Sequence, residues 1–477
     1  MAIQTNRRWY SPELHSTDPI PLSERHGHPN SLLTLWFASN VQITLVAIGA
    51  AAIFIGLNLE WAILSLVIGN LAGGLFMAYH SAQGPRLGVP QMIQSRAQFG
   101  MFGVALPLIV VILMYIGFFT TSAILGGEAF AEFAHMPVWA GIAITNALAV
   151  LIVWIGYDLV HSYNRVLAYL SGIAFLALTV KVATMLHQPA HGTGFAVGTV
   201  LLGISIAATG QITWAPYVSD YSRYLPPDTP TAKTFWYTYL GSVIGGSWME
   251  ILGAMVVFAA GPAAFNNLPH YFSTLLPAVG ALLLVVFVLG VLSANIENLY
   301  GSFLTLVTGL FQNTSSVPAV YLRAAFTAAV ATLGTLFAVL ASSNLLTALG
   351  NFLLVILYLI VPWTAINLTD YYIVRRGRYA VDELYRKDGI YGRVNWPVVA
   401  IYVGTIIIEV PFMNLSFFTG PVAARLDGAD ITWVVGLGIS FVAFLMLSKL
   451  RPSNSLGAGE IRSGAEPAGA GAGPAGE

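Results

Sequence analysis

The sequence predicts an all-α polytopic membrane protein with twelve transmembrane helices. Of its 477 residues, 57% are hydrophobic and only 9% are charged, whereas soluble domains carry about 25% charged residues. Apolar runs of the length that crosses a bilayer, about 20 residues, recur along the chain. The net charge of −1 offers no basic patch for nucleic acid. The absence of cysteine excludes disulfides and thiolate chemistry.

The apolar runs divide the chain into three regions. A cytoplasmic N-terminal segment covers 1–30, the transmembrane domain covers 31–450, and a tail rich in Gly, Ala, Pro and Glu, predicted to be disordered, covers 451–477. The twelve predicted spans are 32–57, 61–80, 104–127, 137–156, 166–186, 197–219, 235–260, 277–310, 319–341, 345–373, 396–418 and 430–449. Runs longer than one crossing indicate tilt or a re-entrant stretch near 265–285 and 301–316.

The basic residues predict the orientation of these spans, because Lys and Arg near span ends stay on the cytoplasmic side. If the N-terminus is cytoplasmic, all of the 20 Lys and Arg residues except Lys181 and Arg425 fall in inside segments. Both termini are therefore predicted to be cytoplasmic, in a protein of the plasma or inner membrane.

Two spans carry residues that favour broken helices. The sixth span contains Gly210, Gln211 and Pro216, and the first contains Asn40 and Gln42. Lipid tolerates irregular, polar backbone only where protein or a water-filled cavity encloses it. Because many transporters pair two inverted halves around a midplane site, the first and sixth spans are predicted to be counterparts in such a repeat.

Polar side chains within the spans have a structural and a functional interpretation. Hydroxyls often bond to carbonyls of their own helix, so a packing role is favoured for Thr44, Thr120, Thr121 and Thr209. Amides need partners at both ends, and four of them are equally compatible with helix packing and ligand contact. They are Asn40, Gln42, Gln211 and Asn298. Their clustering on the suspected broken helices and the eighth span favours ligand contact.

The eighth span places Asn295, Glu297 and Asn298 close together. Asn295 and Asn298 are predicted to share a face of the helix. An ionised Glu297 at mid-helix would cost about 2.5–3.5 kcal/mol, so it is expected to be protonated, paired or in a wet cavity. A role as a proton carrier and a role in helix packing are both compatible with Glu297. For the lone acids Glu250 and Glu409 the packing role is favoured.

An aromatic stripe lies within the third span. Tyr115, Phe118 and Ser122 share a helical face by their i, i+3, i+7 spacing. Such a stripe usually packs against other helices, and it can also stack on a flat heterocycle.

Several local motifs resemble the nucleobase cation symporter 1 family, which includes purine-cytosine permeases and hydantoin transporters. The motifs are Glu24-Arg25 followed by Trp36-Phe37-Ala38, the loop Gly84 to Gly100, Asn295-Ile296-Glu297-Asn298-Leu299-Tyr300, and the stretch from Asp370 to Trp396. The resemblance covers about residues 20 to 450. It implies the fold of the bacterial leucine transporter, which has a 5+5 inverted repeat with broken first and sixth helices plus two C-terminal helices.

The resemblance also implies a substrate site for a flat nitrogen heterocycle. Gln42 and Asn298 match residues that contact substrate in hydantoin-type relatives. Phe118 matches the stacking residue of the third helix and Ser122 a nearby amide, while a shifted alignment favours Tyr115 and Phe119. Trp214 is expected to wall the cavity.

The chain departs from hydantoin carriers at two sites. Gln211, beside the matching Gly210, stands where those carriers have a stacking Trp, which favours a hydrogen-bonded nucleobase. The resemblance places a sodium site at Ala38, Val41 and Ser293, but Leu292 replaces a second hydroxyl. Coupling by a proton, with Glu297 and Asn295 nearby, therefore competes with coupling by sodium.

Together these observations predict an importer of a nucleobase or related heterocycle, such as cytosine, a purine or allantoin, by cation-coupled alternating access. The protein is not expected to be an enzyme or to need a cofactor. Its expected partners are the lipid bilayer and a small heterocyclic substrate. The alternatives are a carrier of hydantoin or another heterocycle and an uncoupled facilitator or channel. The sequence names neither the heterocycle nor the oligomeric state.

Overall fold

The computed structural model describes residues 18–155, 158–186, 195–310 and 320–450. The predicted disordered tail, 451–477, and residues 1–17 of the N-terminal segment lie outside this part of the chain. The described residues are dominated by α-helices that pack side by side, as the apolar composition predicts. Their strands, β1 (Asn414–Leu415) and β2 (Phe418–Thr419), form a short antiparallel hairpin with Asn414 opposite Thr419.

The helices follow the predicted spans closely. The first half contains α1 (Ser31–Asn40), α2 (Ile43–Phe54), α3 (Leu59–Ser81), α4 (Gly84–Leu87), α5 (Gln91–Gln94), α6 (Arg96–Phe99), α7 (Ala105–Ala134), α8 (Val138–Ile155) and α9 (Asp158–Ala183). The centre contains α10 (Val197–Ile212), α11 (Val218–Ser222), α12 (Thr231–Ala260), α13 (Leu268–Leu275) and α14 (Gly280–Leu310). The last part contains α15 (Val320–Ala341), α16 (Leu345–Leu368), α17 (Trp396–Glu409), α18 (Pro421–Arg425) and α19 (Thr432–Leu450).

Short 3₁₀ and π segments connect or extend these helices. The 3₁₀ turns are Leu22–Glu24, Pro262–Asn266, Pro277–Val279, Ser342–Asn344, Val381–Tyr385 and Val410–Phe412. A π-helical segment, Thr369–Val374, continues α16. The helix α13 and its flanking turns occupy the region near 265–285 for which a re-entrant stretch was an expectation.

In the described part of the chain, seven helical stretches are long and apolar enough to cross a membrane, and the bent pair α1 and α2 makes an eighth. One of the seven, Tyr321–Val374, contains both α15 and α16. Three further apolar helices are shorter: Val138–Trp154, Val197–Ile212 and Trp396–Phe412. An all-α membrane protein is therefore confirmed, and each of the twelve predicted segments holds a helix.

The first span is broken, as its polar residues predict. The helix α1 ends at Asn40 and α2 begins at Ile43, with an angle of 61° between the two. Between them, Val41 has φ −83° and ψ 74°, and Gln42 is extended at φ −147° and ψ 157°. These two residues have left the helical conformation at the centre of the segment.

The sixth span is interrupted as well. The helix α10 ends at Ile212, a series of turns covers residues 213–217, and the short helix α11 follows. The Thr213 hydroxyl donates to the Thr209 carbonyl at 2.9 Å, and the Val218 N–H donates to the Trp214 carbonyl at 2.9 Å. Pro216 lies inside the interruption, where it removes a backbone donor.

Glycines allow the central helices to touch. The helix α2 packs on α12, and a Cβ atom at Gly49 would lie 1.8 Å from the Glu250 carbonyl oxygen. In the same contact, a Cβ at Gly253 would lie 1.8 Å from the Val46 carbonyl oxygen. The helix α3 packs on α10 in a similar way, since a Cβ at Gly73 would lie 2.4 Å from the Ala208 carbonyl oxygen.

The two long loop motifs meet at one end of the bundle. The Gln98 side chain donates to Asp370 at 2.6 Å, and Asp370 also pairs with Arg375 at 3.0 Å. The Gln91 N–H donates to Asp220 at 2.8 Å, which ties the 84–100 loop to α11. The Ile20 N–H bonds to the Gly88 carbonyl in the same loop. The described end of the N-terminal segment, from residue 18 onward, and both loops therefore form one packed layer.

The side chains Thr120, Thr121 and Thr209 bond to their own helices, as the packing interpretation predicts. Their hydroxyls donate to the carbonyls four residues earlier at 2.8, 3.1 and 2.8 Å. Thr44 differs, because its hydroxyl lies 3.1 Å from the Ser122 hydroxyl and links α2 to α7.

Candidate functional site

One face of α14 is partly exposed within the bundle. It carries Ala294, Glu297, Asn298 and Gly301, while Asn295 and Ile296 between them are buried. No side-chain hydrogen-bond partner for Asn298 exists among the described residues. A partly exposed amide with both donor and acceptor unused can bind the edge of a ligand.

Asn295 lies in a different environment from Asn298, although their spacing predicts a shared face. Its amide nitrogen lies 3.3 Å from the Asn146 amide oxygen of α8, and its side chain is only 1% exposed. Asn295 therefore bonds to α8 from a buried position, whereas Asn298 is partly exposed. A direct part for Asn295 in cation coupling stays a prediction.

The aromatic stripe of α7 lies toward the central helices. The Tyr115 ring is 5.4 Å from the Tyr217 ring at the break of the sixth span, and the Tyr115 hydroxyl end contacts Gly301 of α14. Phe118 meets Phe352 of α16 edge to face, with ring centres 5.3 Å apart. Ser122 is buried, with its hydroxyl beside Thr44.

Phe119, which the shifted alignment favours, has another neighbour. It is fully buried, and a Cβ at Gly334 of α15 would lie 2.4 Å from its ring. Phe119 therefore packs on α15, whereas Tyr115 and Phe118 contact the elements that surround the two helix breaks.

The breaks contribute Gln42, Trp214 and Tyr217. Gln42 is partly exposed, and its amide nitrogen donates to the Ser39 carbonyl at 2.9 Å. Trp214 contacts both Trp36 and Tyr217, with ring centres 5.4 and 5.6 Å apart. It therefore links the sixth span to the first, and its role as a wall of the cavity stays a prediction.

Tyr217 is a site residue that the sequence reasoning missed. It is partly exposed, and its ring lies beside those of Tyr115 and Trp214. The available signal was its position directly after Pro216, since a residue after a break leaves the helical face that periodicity would assign to it.

Gln211 and Asn40, both predicted to contact substrate, are fully buried and hydrogen-bonded to protein. The Gln211 amide nitrogen donates to Asn70 at 2.6 Å and to the Ser242 carbonyl at 3.2 Å, while its oxygen accepts from the Ser242 hydroxyl at 2.5 Å. The Asn40 amide nitrogen donates to the Trp36 carbonyl at 2.7 Å and to Ser242 at 3.0 Å. These bonds favour a structural role here, and direct substrate contact stays a prediction. Gly210 lies against Glu250, whose carboxyl oxygen would be 3.0 Å from a Cβ at that position.

Two of the predicted sodium ligands, Ala38 and Val41, lie at the first helix break. The Ala38 carbonyl accepts from the Val41 N–H at 3.1 Å, and Ser293 lies on α14, which contacts α2. Backbone carbonyls beside a break and a hydroxyl are oxygen donors that suit a hard cation. Clusters of three or more His, Asp or Glu side chains fit to hold a metal ion are absent from the described ranges.

The site thus combines aromatic faces with the Gln42 amide at the first helix break and the Asn298 amide on α14. Aromatic rings can stack on a flat ring, and amides can read its donors and acceptors. The arrangement is suited to reversible binding of a small polar heterocycle.

Comparison with known proteins supports a family assignment. The family described as "Permease for cytosine/purines, uracil, thiamine, allantoin" matches residues 19–436. The chain is similar to the putative purine-cytosine permease YxlA of Bacillus subtilis, with 38% identity over 92% of this chain and 96% of that protein. It is also similar to the purine-cytosine permease fcyB of Emericella nidulans, with 27% identity over 88% and 84% of the two chains.

Solved structures show the same fold. The transporter Mhp1 in a closed conformation with bromovinylhydantoin bound has a TM-score of 0.73 at 20% identity, covering 93% of this chain and 97% of Mhp1. The inward-facing form of Mhp1 has a TM-score of 0.74, also at 20% identity, covering 94% and 96% of the two chains. The relatives named here are permeases or transporters, and Mhp1 is described as a nucleobase-cation-symport-1 transporter. The chain is an integral membrane protein that belongs to the nucleobase cation symporter 1 family.

Proposed function

We propose that the protein is a secondary active importer of a nucleobase or closely related nitrogen heterocycle. The observation that carries this proposal is the Asn298 amide, which has no protein partner among the described residues and lies on the partly exposed face of α14. Gly301 on that same face contacts Tyr115, and Tyr115 contacts the break of the sixth span. The purine-cytosine permeases among the relatives support the substrate class.

In this proposal the substrate ring stacks on Phe118 beside Tyr115 and is bounded by Trp214 and Ser122. Gln42 and Asn298 hydrogen-bond its edges. Gln42 would exchange its bond with the Ser39 carbonyl for one with substrate. Gln211, next to Gly210, and Asn40 would act through the buried contacts described above, or would turn toward substrate in another state of the transport cycle.

The transport cycle is alternating access around the two broken helices. We assign twelve spans to the chain, arranged as an inverted 5+5 repeat with two further helices. We also place the protein in the plasma membrane with both termini in the cytoplasm. The layer formed by the N-terminal segment and the two basic loops would face the cytoplasm.

A cation gradient drives the import. The two candidates are sodium, held by Ala38, Val41 and Ser293, and a proton, held by a carboxyl such as Glu297 with Asn295 nearby. Loss of a second hydroxyl at Leu292 weakens the sodium site, because sodium is bound by several oxygen atoms at once.

A ligand screen tests the substrate class directly. The purified protein is heated with cytosine, adenine, guanine, uracil, allantoin or hydantoin, and its unfolding temperature is recorded. Because a ligand that binds only the folded state stabilises it by mass action, at least one nucleobase is expected to raise the unfolding temperature more than hydantoin. A larger shift with hydantoin would favour a hydantoin carrier, and no shift with any of the six would contradict the substrate class.

A further inference from the structure

Glu250 lies at the end of a buried chain of polar side chains that the substrate site does not use. The chain contains Asn40 of α1, Ser242 and Glu250 of α12, Gln211 of α10 and Asn70 of α3. All five side chains are at most 1% exposed. The chain therefore joins both broken spans to two neighbouring helices.

Contacts with backbone carbonyls determine the orientation of the three amides in this series of hydrogen bonds. The amide nitrogens of Asn40, Asn70 and Gln211 each donate one proton to a backbone carbonyl, those of Trp36, Leu66 and Ser242, at 2.7, 2.9 and 3.2 Å. A carbonyl can only accept, so these contacts identify which end of each amide carries the protons.

With those orientations, every remaining bond donates toward Glu250. Asn40 donates to the Ser242 hydroxyl at 3.0 Å, and that hydroxyl donates to the Gln211 oxygen at 2.5 Å. Gln211 donates to the Asn70 oxygen at 2.6 Å, and Asn70 donates to Glu250 Oε2 at 2.5 Å. The Glu250 carboxyl is the terminal acceptor of a chain that begins at the first helix break.

The carboxyl is otherwise isolated. Glu250 Oε1 is buried without a hydrogen-bond partner among the described residues and lies against Gly210 at the end of α10. No Lys, Arg or His of the described ranges is within ion-pair distance of it. A buried ionised carboxylate with one donor and no counter-charge is strongly disfavoured, whereas the protonated form is tolerated.

The helices around Glu250 contribute few other titratable groups. The helices α1, α2 and α10 and the turn Pro262–Asn266, all of which pack on α12, contain none. On α3, Glu60, Tyr79 and His80 are nine or ten residues from Asn70, which is about 15 Å along a helix. The part of α9 whose side chains are described, from Val166 onward, carries Tyr169 and Lys181, and Lys233, Tyr237 and Tyr239 are near the start of α12. The Tyr239 hydroxyl donates to the Leu71 carbonyl at 3.2 Å.

We propose that Glu250 binds and releases a proton during transport. The series of hydrogen-bonded side chains that begins at Asn40 and reaches Glu250 through Asn70 couples this proton to the two helix breaks. The inference rests on the proposed function for its place in the cycle. One carboxylate oxygen gains a proton and later returns it to water, and no covalent bond to substrate forms. Ionisation requires water or new donors at Oε1, so it requires α10 and α12 to shift at their contact. Any such shift moves the break beside Gly210.

The test compares two transport modes in proteoliposomes. The first is counterflow, the exchange of labelled for unlabelled nucleobase without an ion gradient. The second is accumulation driven by a pH gradient. Glu250→Gln, which mimics the protonated carboxyl, is expected to keep counterflow and to lose accumulation, so that internal label only reaches the external concentration.

The control is Glu409→Gln. Glu409 is a fully buried glutamate of α17 whose two oxygens have no partner among the described residues. It packs on Gly436 of α19 and takes no part in the series of hydrogen bonds that ends at Glu250. This variant is expected to retain both modes. Accumulation by Glu250→Gln at the wild-type level would overturn the proposal, as would a wild-type protein that a pH gradient does not drive.

A second variant tests the coupling even if Glu250→Gln folds poorly. Asn70→Ala removes the donor to the carboxylate, so the carboxyl should hold its proton more tightly. The pH midpoint of gradient-driven uptake is expected to move upward, and an unchanged midpoint would contradict the role of the chain.

Infrared difference spectra separate this inference from the proposed function. The wild-type protein should show a protonated carboxyl band that changes between acid and alkaline pH and is missing in Glu250→Gln. The band requires no substrate, so it can be present even if no heterocycle is transported. An identical band in wild type and Glu250→Gln would overturn the proton site.

Discussion

Asn298→Ala is expected to abolish measurable uptake of the nucleobase while the protein still inserts and folds. The substitution removes an amide on the partly exposed face of α14. This amide has no protein partner among the described residues, so its removal leaves no protein group without a hydrogen bond. A buried ligand group that loses its partner costs about 1–3 kcal/mol, which corresponds to roughly 5- to 160-fold weaker binding. Uptake of labelled substrate at a concentration below saturation measures the loss.

Asn351→Ala is the matched control. Asn351 is also an asparagine of a long helix, but it bonds to Ser416 in the hairpin region at 2.7 Å. We expect near-normal uptake for this variant. Wild-type uptake by Asn298→Ala, at equal amounts of protein in the membrane, would reject Asn298 as a substrate residue.

Gly253→Ala is expected to destabilise the fold through the contact between α2 and α12. Its new methyl group would lie 1.8 Å from the Val46 carbonyl oxygen, which belongs to the backbone and cannot rotate away. The two helices must therefore separate, and overpacking of this kind costs about 1–3 kcal/mol or more. Thermal unfolding of the detergent-purified protein should show a clearly lower transition temperature and poor recovery of monodisperse protein.

Gly404→Ala provides the comparison within the same kind of helix. Gly404 lies in α17, and a Cβ there would meet no atom within 4 Å. Because alanine is the better helix former by about 1 kcal/mol, this variant should unfold at or slightly above the wild-type temperature. If Gly253→Ala unfolds at the same temperature as Gly404→Ala, the close approach of α2 and α12 does not stabilise the fold.

The breaks in the first and sixth spans could be predicted because their cause is local. Polar side chains and proline within an apolar run disturb the helix wherever it packs, so Asn40 and Pro216 indicated the interruptions directly. The spacing of Tyr115 and Phe118 was informative for the same reason, since helical periodicity determines which side chains share a face.

The partners of the amides could not be predicted. Periodicity predicts the face of Gln211, but the neighbour on that face depends on how α10, α3 and α12 pack. The bonds to Asn70 and Ser242 exist because glycines such as Gly246 bring these helices close; a Cβ there would lie 2.4 Å from the Gln211 amide nitrogen. Glu250 was interpreted as a packing residue because its hydrogen-bond donor, Asn70, is distant from it in the sequence.

The loop motifs illustrate the same limit. The resemblance indicated that the 84–100 and 370–396 stretches matter, but not that they bond to each other. Only the folded chain brings Gln98 within 2.6 Å of Asp370.

Accumulation of a labelled nucleobase in proteoliposomes tests the central claim most directly. An inward sodium gradient and an inward proton gradient are imposed separately, with sodium replaced by choline in the second case. We expect the internal concentration to exceed the external one under at least one gradient, and to return to equilibrium when an ionophore collapses that gradient. Unchanged transport without sodium, together with loss under a protonophore, would reject sodium coupling. Internal label that never exceeds the external concentration under either gradient would contradict secondary active import and favour an uncoupled facilitator or channel.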